Sequence, residues 1–405
     1  MAELAVPSED HDVTDPWPHN TTSRTRTGVA RVRPEHLEAR LTEGAGVRRA
    51  PPGYSARRSG DHRVRRGTEL TDIDDTAGRL LLGLDVGGTS SRALLTDTSG
   101  RTLGTGHAGG GNPNTHPPER AVEQVARAVR TALSDTPPER VSAAVLGMAG
   151  ISKLTDPVVS GVFEQAWRML GLRCAMRTVS DSEVAFAAGT AEPDGTVLIA
   201  GTGSITARIE RHRLERTLGG YGWLLGDEGS AFWLGREAVS STLRALDSGE
   251  AKHDPLVSSV LDELLPASAT AADPEPVLVR RLVALLGNGP PTRLAELAPL
   301  VTASAAEGGG KAAEILAKGA RILAADALSV RKEPDESPIV LAGSLLAGEG
   351  VFDEAVRREL RARSTAPLAN AGSGAAGAAW LAAEPLLDEE HARWLHGRLL
   401  ESEPG

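Results

Sequence analysis

The sequence predicts an α/β fold built from two similar halves, and two observations favour it. Short apolar runs alternate with segments that carry apolar residues at helical spacing, which is typical of a sheet covered by helices. Two of these runs, residues 80–86 and 196–200, each end in a turn of Gly, Thr and Ser and continue into a hairpin partner. Two equivalent units of this kind indicate a duplicated domain with a cleft between its halves.

The first unit opens with a strand that stops at Gly87-Gly88-Thr89 and then turns back as a hairpin. The stretch Asp-Thr-Ser-Gly at residues 97–100 is typical of a tight turn between two further strands. A segment with helical spacing then precedes another short apolar strand. The predicted elements, in order, are strands at residues 80–86, 92–96 and 102–108, a helix at 119–133 and a strand at 141–146.

The second unit repeats the pattern around the turn Gly201-Thr202-Gly203-Ser204. Its hairpin partner is predicted at residues 205–210, and helices dominate residues 230–331. A last strand, at residues 338–342, ends in Gly343-Ser344. An Ala-rich helix or pair of helices is predicted at 374–399. These patterns divide the chain into a leader at residues 1–78, an N-terminal domain at 79–182, a C-terminal domain at 183–370 and a C-terminal helical segment at 371–405.

Composition and charge exclude several classes of protein. The chain has 405 residues and a net charge of −10, whereas a general nucleic-acid binder needs a basic surface. Its single cysteine, Cys174, excludes an internal disulfide framework. No run of eighteen apolar residues occurs, and the acidic N-terminus has no apolar stretch, so neither a membrane span nor a secretory signal is predicted. We therefore expect a cytoplasmic protein that binds neither nucleic acid nor membrane.

The leader at residues 1–78 differs from the rest of the chain. It is poor in aliphatic residues and shows neither strand nor helix periodicity, which predicts disorder. Residues 24–66 hold twelve Arg against four acidic residues, in a chain that is otherwise acidic. A solvated tail is one interpretation, and an electrostatic tether to an acidic partner is the other.

The two Gly-rich turns are candidate phosphate sites. Glycine lets the backbone approach a phosphate closely, with its N–H groups directed at the oxygens. Gly87, Gly88 and Thr89 form the first turn, and Thr202 and Ser204 add hydroxyl donors in the second. Two such turns facing each other would hold the polyphosphate of a nucleotide from both sides, whereas ordinary hairpin turns are the alternative. No P-loop sequence is present.

Asp85 interrupts the apolar run that leads into the first Gly turn. Burial of a carboxylate in such a strand is costly unless a cation or hydrogen-bond donors meet it. A phosphate-bound Mg²⁺, which is usually held through waters and one or two carboxylates, would supply that partner. The alternative is a buried Asp that only fixes its own turn.

Residues 219–230, Gly-Gly-Tyr-Gly-Trp-Leu-Leu-Gly-Asp-Glu-Gly-Ser, carry the densest signal in the chain. Five Gly, two aromatic residues and an acidic pair before a long helix predict a shaped loop on a rigid scaffold. The carboxylate of Asp227 or Glu228 can accept bonds from sugar hydroxyls. Alternatively, the two acidic residues only favour the N-terminus of the helix that follows.

These segments, taken in order, resemble the N-acetylglucosamine kinase family and the related BadF/BadG-type ATPases, members of the sugar kinase and actin superfamily. The resemblance covers residue 79 to the C-terminus and is most specific in Gly226-Asp227-Glu228-Gly229-Ser230. It implies duplicated actin-like ATPase domains of the ribonuclease H-like type, which close on ATP and Mg²⁺ with an amino sugar between them. The two Gly turns would be its phosphate motifs, and Gly343 and Ser344 its adenosine side.

The resemblance also implies roles for residues near the sugar. Asp227, Gly222 and Asn112 would contact the ring, and Asp227 would also belong to the catalytic residues. An Asx-Pro turn is an equal alternative for Asn112. Ser152 stands where the family has the acidic residue that is the usual general base. Asp156 lies four residues on, and Asp181 matches another acidic position that faces the cleft, so Asp181 is the better candidate base.

Two functions follow from this resemblance. The first is ATP-dependent phosphorylation of N-acetylglucosamine or a related amino sugar, with a homodimer as the candidate assembly. The second is a nucleotide- or sugar-binding regulator that has lost catalysis, which Ser152 and the Arg-rich leader favour. A third, an activator of a radical dehydratase, requires paired cysteines for an iron–sulfur cluster, and the chain has only Cys174.

Overall fold

The computed structural model describes residues 78–251, 254–332, 334–348 and 350–401. The predicted disorder and charge of the leader therefore lie outside the described residues, apart from its last residue. The first sheet has the strand order β3-β2-β1-β4-β5. β2 and β3 are antiparallel to their neighbours, whereas β4 and β5 run parallel to β1. Its strands are β1 (Leu80–Val86), β2 (Ser90–Asp97), β3 (Thr102–Gly109), β4 (Val141–Met148) and β5 (Met176–Ser180).

The second sheet has the same topology as the first. Its order, read from the hairpin edge, is β8-β7-β6-β9-β10, with β6 antiparallel to β7 and parallel to β9. Both sheets are mixed, have the same strand order and begin with a hairpin that contains a Gly turn. This agreement confirms the predicted α/β duplication. The strands are β6 (Gly195–Ala200), β7 (Ser204–Glu210), β8 (Arg213–Gly219), β9 (Ile339–Ala342) and β10 (Leu368–Asn370).

Helices connect the parallel strands and follow the hairpin of each unit, as crossover connections require. The first unit and its connection to the second hold α1 (Pro118–Leu133), α2 (Pro157–Met169) and α3 (Asp181–Ala187). The second unit holds the larger helical set. These helices are α4 (Ala231–Ser248), α5 (Pro255–Leu264), α6 (Ala267–Ala272), α7 (Glu275–Gly287), α8 (Ala298–Ala306), α9 (Gly310–Ser329) and α10 (Val351–Arg361), and the C-terminal pair is α11 (Gly374–Ala383) and α12 (Glu389–Glu401).

Both faces of the first sheet are covered. The apolar stripe of α1 packs with α2 on one face, in a cluster that includes Leu82, Leu84 and Val129. On the other face, α12 and α11, which carries Trp380, pack with Leu81 of β1. Gly83 permits this contact, because a Cβ there would lie 2.8 Å from the Ala379 Cα. The predicted pair of C-terminal helices therefore exists and completes the core of the first sheet.

The second sheet packs against α4, α8, α9 and α10. Trp233 of α4 and Phe352 of α10 are fully buried in this cluster, beside Leu198 and Leu341 of the sheet. Phe186 of α3 and Val197 form a smaller core on the opposite face. Among the described helices, none combines the length and the apolar character that a bilayer crossing requires.

The sequence missed two strands and placed others within a few residues. β8 and β10 were not predicted, because β8 is largely exposed with few apolar residues and β10 has only three residues. The resemblance alone implied a strand before Asp181, and β5 ends directly before that residue. The divisions at residues 79–182, 183–370 and 371–405 stay a prediction, since the described elements after residue 78 form one compact unit by their contacts.

Candidate active site

The first Gly turn is a hairpin connection whose carbonyl groups are held by a neighbouring loop. Gly87 donates its N–H to Ser90 O at 2.9 Å, which closes the turn. Gly111 N donates to Gly87 O at 3.1 Å, and His116 Nε2 lies 2.8 Å from Gly88 O. Among the described residues, no acceptor meets the N–H groups of Gly88 and Thr89. This is the arrangement that a phosphate-binding turn requires.

The second Gly turn is connected to the start of α4. Gly201 donates its N–H to Gly203 O at 2.9 Å, and the turn's carbonyls accept the N–H groups of Ala231 and Phe232 at 2.8 and 3.2 Å. These contacts satisfy two donors at the helix N-terminus. The Thr202 side chain is exposed beside them. Both turns are therefore hairpin turns in their hydrogen bonding, and the phosphate role stays a prediction.

Ser344 lies against the second Gly turn. A Cβ on Gly201 would lie 3.8 Å from Ser344 Oγ, and Leu345 donates its N–H to Ala200 O at 3.1 Å. Gly343 has a φ of 89°, which lets the chain turn sharply as it leaves β9. The structure thus brings the turn after β9 next to the turn after β6, because these strands are neighbours in the second sheet.

Asp227 is tied to the second turn and does not cap α4. Its Oδ1 accepts the N–H of Ser204 at 3.2 Å, while Ser204 Oγ donates to Glu228 O at 2.9 Å. The helix is capped by Ser230, whose Oγ accepts the N–H of Trp233 at 3.2 Å. The Asp227 side chain therefore has a contact beyond any effect on the helix N-terminus, and its sugar contact stays a prediction.

The loop that carries Asp227 is held in an uncommon backbone conformation. Asp227 has a φ of 56°, a left-handed value that is uncommon for a residue with a side chain. Gly219, Gly220, Gly222 and Gly229 also have positive φ, between 70° and 80°. Such conformations persist where surrounding contacts impose them, and they cluster at functional sites. The predicted shaped loop is present.

A pocket of about 300 Å³ lies beside this loop. Asp227, Glu228 and Asp326 line it, together with Ser204 and Tyr221. Burial raises the pKa of Asp227, and the N–H of Ser204 opposes that rise. Burial and then the Glu228 charge raise the pKa of Asp326. The sequence missed Asp326 because it lies about a hundred residues from the loop, on α9, in an ordinary helical pattern.

Asp85 and Asp181 form a second acidic group. Burial raises the pKa of Asp85 to about 6; Arg92, its cross-strand partner on β2, lowers it, and the Asp181 charge raises it further. Burial also raises the pKa of Asp181, which opens α3 directly after the Ser180 cap. The Asp85 carboxylate accepts no hydrogen bond from the described residues. Gly374 lies so close that a Cβ there would be 2.6 Å from Asp85 Cγ.

The Asp85 carboxylate fits the requirements of a Mg²⁺ ligand. It is a hard oxygen donor without a hydrogen-bond partner in the described part of the chain, and a divalent cation would relieve the cost of its burial. Within the same described ranges, no group of three or more His, Cys, Asp or Glu side chains is placed to hold a metal. Such a site suits Mg²⁺ that arrives with phosphates, since this ion keeps several waters.

Asn112 forms the turn that was the alternative to its sugar role. Its Oδ1 accepts the N–H of Asn114 at 2.8 Å, and it is only 8% exposed. Asn114 Nδ2 in turn donates to Gly150 O at 3.4 Å, which joins this loop to the end of β4. The Nδ2 of Asn112 donates no hydrogen bond to any residue that the structure describes, so a sugar contact through Nδ2 stays a prediction.

Ser152 lies within the short 3-10 turn Ile151–Thr155, and Asp156 follows that turn directly. Ser152 is exposed, and its carbonyl accepts the hydroxyl of Thr155 at 2.7 Å. Asp156 caps α2, since its Oδ1 accepts the N–H of Val158 at 2.9 Å. The structure thus gives Asp156 a local structural contact, and it leaves Asp181 as the half-buried carboxylate near Asp85.

The contacts join the predicted site residues into separate groups. One group contains Asp85, Asp181 and the unpredicted Gly374, and another contains Ser204 with Asp227. Gly222 lies in the loop of the second group, and a Cβ there would meet no atom within 4 Å. Within the described residues, no hydrogen bond joins the first Gly turn to the second. The binding of one ligand by both turns therefore stays a prediction.

The model of the BadF/BadG/BcrA/BcrD ATPase family matches residues 82–382, about three quarters of the chain. The chain belongs to this family. Membership of an ATPase family implies that the chain uses ATP. The matched range begins inside β1 and ends inside α11, so it contains both Gly turns, the Asp227 loop and the turn after β9.

Curated relatives of the family match part of the chain. An N-acetylmuramic acid/N-acetylglucosamine kinase of Clostridium acetobutylicum is 27% identical over 171 residues, which cover 42% of this chain and 55% of the relative. An N-acetyl-D-glucosamine kinase of Dictyostelium discoideum is 28% identical over 178 residues, with the same two shares. The chain therefore spans about half the length of the curated relatives it matches.

Solved structures of similar proteins cover more of the chain. A candidate N-acetylglucosamine kinase of Chromobacterium violaceum is 27% identical with a TM-score of 0.59, and the match covers 75% of this chain and 98% of that one. A candidate N-acetylglucosamine kinase of Porphyromonas gingivalis is 18% identical with a TM-score of 0.57, and covers 78% and 98%. The second likeness shows the fold, which agrees with the expectation from the sequence.

Proposed function

We propose that the chain is an ATP-dependent sugar kinase that phosphorylates a primary hydroxyl of N-acetylglucosamine or a close amino sugar. The observation that carries the proposal is the hydrogen bond from Ser204 N to the Asp227 carboxylate. This bond joins the loop that is proposed to bind the sugar to the turn that is proposed to bind phosphate. Asp227 keeps a second carboxylate oxygen for a sugar hydroxyl, beside a pocket of about 300 Å³. The kinase names of the relatives from Clostridium acetobutylicum and Dictyostelium discoideum support the same activity.

The nucleotide would be held by the two Gly turns and the turn after β9. The free N–H groups of Gly88 and Thr89, with the exposed hydroxyl of Thr202, suit the oxygens of a polyphosphate. Ser344, beside Gly201, would lie on the adenosine side. Mg²⁺ bound with the nucleotide would neutralise phosphate charge during transfer, and Asp85 would hold it through its carboxylate.

Asp181 is the proposed general base. Its carboxylate would accept the proton of the attacking sugar hydroxyl, and its raised pKa improves its strength as a base. The carboxylate charges of Asp85 and Asp181 act on each other, so a cation held by Asp85 would also help to keep Asp181 ionised. Gly222 and Asn112 would complete the sugar contacts, with the Nδ2 of Asn112 as the donor.

The test is a turnover assay with Mg-ATP and a panel of neutral hexoses and amino sugars. We expect a sugar phosphate and ADP to form. At least one sugar of the panel should raise ADP release by the unaltered protein well above the release measured with the Asp85→Ala variant. The proposal is wrong if no sugar in the panel raises ADP release above that background while the protein remains folded.

A nucleotide- or sugar-binding regulator is the second candidate, and Ser152 favours it. This exposed serine stands where the kinase family that the sequence resembles has an acidic residue. Loss of a general base typically lowers the rate by about 10²–10⁴-fold. Calorimetry separates the two functions, because sugar affinity without turnover indicates the regulator. In that case Ser152→Asp is expected to raise any residual rate.

A further inference from the structure

A pocket of about 310 Å³ lies between the first sheet and the β7–β8 turn of the second. Arg177 of β5 lines one side of it, and Arg211, His212 and Arg213 line another. Glu384, which follows α11, is a further lining residue. None of these residues has a part in the proposed kinase chemistry.

The turn that presents this basic sequence is held in an uncommon conformation. Arg211 and His212 have φ values of 50° and 57°, in the left-handed region that two-residue hairpin turns usually fill with Asn and Gly. Arg211 N donates to Asp194 Oδ1 at 2.8 Å, and His212 N donates to Pro193 O at 2.9 Å. The backbone contacts therefore fix two side chains at positions where glycine or asparagine is expected.

The basic groups of the pocket are short of partners. Arg177 Nη2 donates to Leu381 O at 3.0 Å, but Arg177 Nε and His212 Nδ1 are buried without a hydrogen-bond partner in the described part of the chain. A buried polar group of this kind is uncommon and calls for an explanation. Among the described residues, no carboxylate lies within ion-pair distance of Arg177, Arg211 or Arg213.

The two glutamates that line the pocket, Glu183 and Glu384, offset only part of the charge of its three arginines. The Glu183 carboxylate accepts the N–H and the hydroxyl of Ser180 at 2.7 Å each. Burial lowers the pKa of Arg177, and the charge of Arg213 lowers it further, so these two guanidinium groups repel each other across the pocket. The charges of both glutamates raise the pKa of Arg177, although neither carboxylate lies within ion-pair distance of it.

We propose that this pocket binds the phosphate group of a small molecule. Guanidinium groups bind phosphate through paired N–H donors, and a dianion would offset the repulsion between Arg177 and Arg213. The volume of about 310 Å³ equals the liquid volume of roughly ten water molecules, which leaves room for an organic group beyond the phosphate. The ligand is inorganic phosphate or the phosphate of a phosphorylated sugar, and the occupied pocket would bridge the two sheets.

The test follows the side-chain nitrogens of His212 by NMR, in full-length protein labelled with ¹⁵N-histidine. His212→Asn identifies the resonance, since Asn tolerates a left-handed backbone. Inorganic phosphate and N-acetylglucosamine 6-phosphate are the two probes, and N-acetylglucosamine is the neutral control. We expect a phosphate probe to shift the His212 resonance with saturation, and the neutral sugar to leave it unchanged.

Three variants decide where the probe binds. Arg177→Met and Arg213→Gln should each weaken the titration about tenfold or more, the loss expected for a hydrogen bond between charged groups. Arg216→Gln removes an exposed charge from the same strand as Arg213 without altering the pocket, and it should titrate as the unaltered protein does. Because Arg213 is exposed and unpaired, its variant is expected to fold normally.

The outcomes separate the sources of the phosphate. Tighter binding of the sugar phosphate identifies a phosphorylated sugar as the ligand, and response to phosphate with none to the sugar phosphate identifies inorganic phosphate. The proposal is overturned if neither probe shifts the His212 resonance, or if Arg177→Met and Arg213→Gln titrate like Arg216→Gln. The test measures binding, so its result does not depend on whether the chain is a kinase.

Discussion

The carboxylate of Asp227 accepts the backbone N–H of Ser204 at 3.2 Å, which fixes the loop at residues 219–230 to the turn after β6. We expect Asp227→Asn to keep this bond, because the amide oxygen accepts in the same way and Asn tolerates a left-handed φ. The loss of charge should raise the KM for the sugar and lower kcat/KM about 10²-fold, with ATP affinity unchanged. Steady-state kinetics with varied sugar and varied ATP measure both.

Asp227→Ala is the comparison for this variant. It removes both the charge and the acceptor for Ser204 N, so it should also lower the thermal midpoint. If Asp227→Asn keeps the KM of the unaltered protein, Asp227 does not contact the sugar.

Gly203 permits the Asp227 side chain to reach the turn. A Cβ at Gly203 would lie 3.0 Å from both carboxylate oxygens, closer than such atoms normally approach. Gly203→Ala should therefore displace Asp227 and lower kcat/KM for the sugar by about tenfold or more. Gly397→Ala on α12 is the control, since a Cβ there meets no atom within 4 Å, and it should keep full activity. Equal kinetics for the two variants would contradict this assignment.

Asp181 and Asp156 offer a matched pair for the general base. Asp181→Asn should lower kcat by about 10²–10⁴-fold with little change in the KM of either substrate. Asp156→Asn should retain the rate, because an asparagine can cap α2 through the same acceptor position. Rapid-quench measurement of the transfer step would show the difference directly. A loss of rate in Asp156→Asn alone would move the base to that residue.

Asp85 predicts an unusual dependence of stability on pH. Its pKa is about 6 in the folded protein against 3.8 for the ordinary carboxyl group, so folding favours the protonated form. The stability from this group is full below about pH 4 and is lost as the pH rises through about 6. At about pH 8, Asp85→Asn should therefore raise the free energy of unfolding by about 1–3 kcal/mol; partial solvent access of Asp85 keeps the gain below the full shift.

Urea unfolding without nucleotide, from about pH 4 to pH 8, measures this difference. The variant and the unaltered protein should converge at the acidic end. Added Mg-ATP should stabilise only the unaltered protein strongly, because the ion favours the ionised carboxylate. A constant difference across the pH range would contradict the assigned cause.

The sequence predicted which residues belong to the candidate site better than it predicted which residues they contact. Asp85 was expected at the end of β1 and lies there, since a charged residue in an apolar run is visible in the sequence. Asp326 and Gly374 were missed, because their importance depends on neighbours that are distant in the chain. For Asn112, the sequence left the turn and the sugar contact open, and the structure shows the turn.

The repeated order of apolar runs and Gly turns determined the α/β duplication, because period and turn chemistry are local properties that each segment carries by itself. Only the tertiary structure decided that Ser204 meets Asp227, that Gly374 packs against Asp85, and that Arg177 shares a pocket with Arg213. Each of these pairs joins residues from different elements, and their distances are set by how sheets and helices pack rather than by any pattern along the chain.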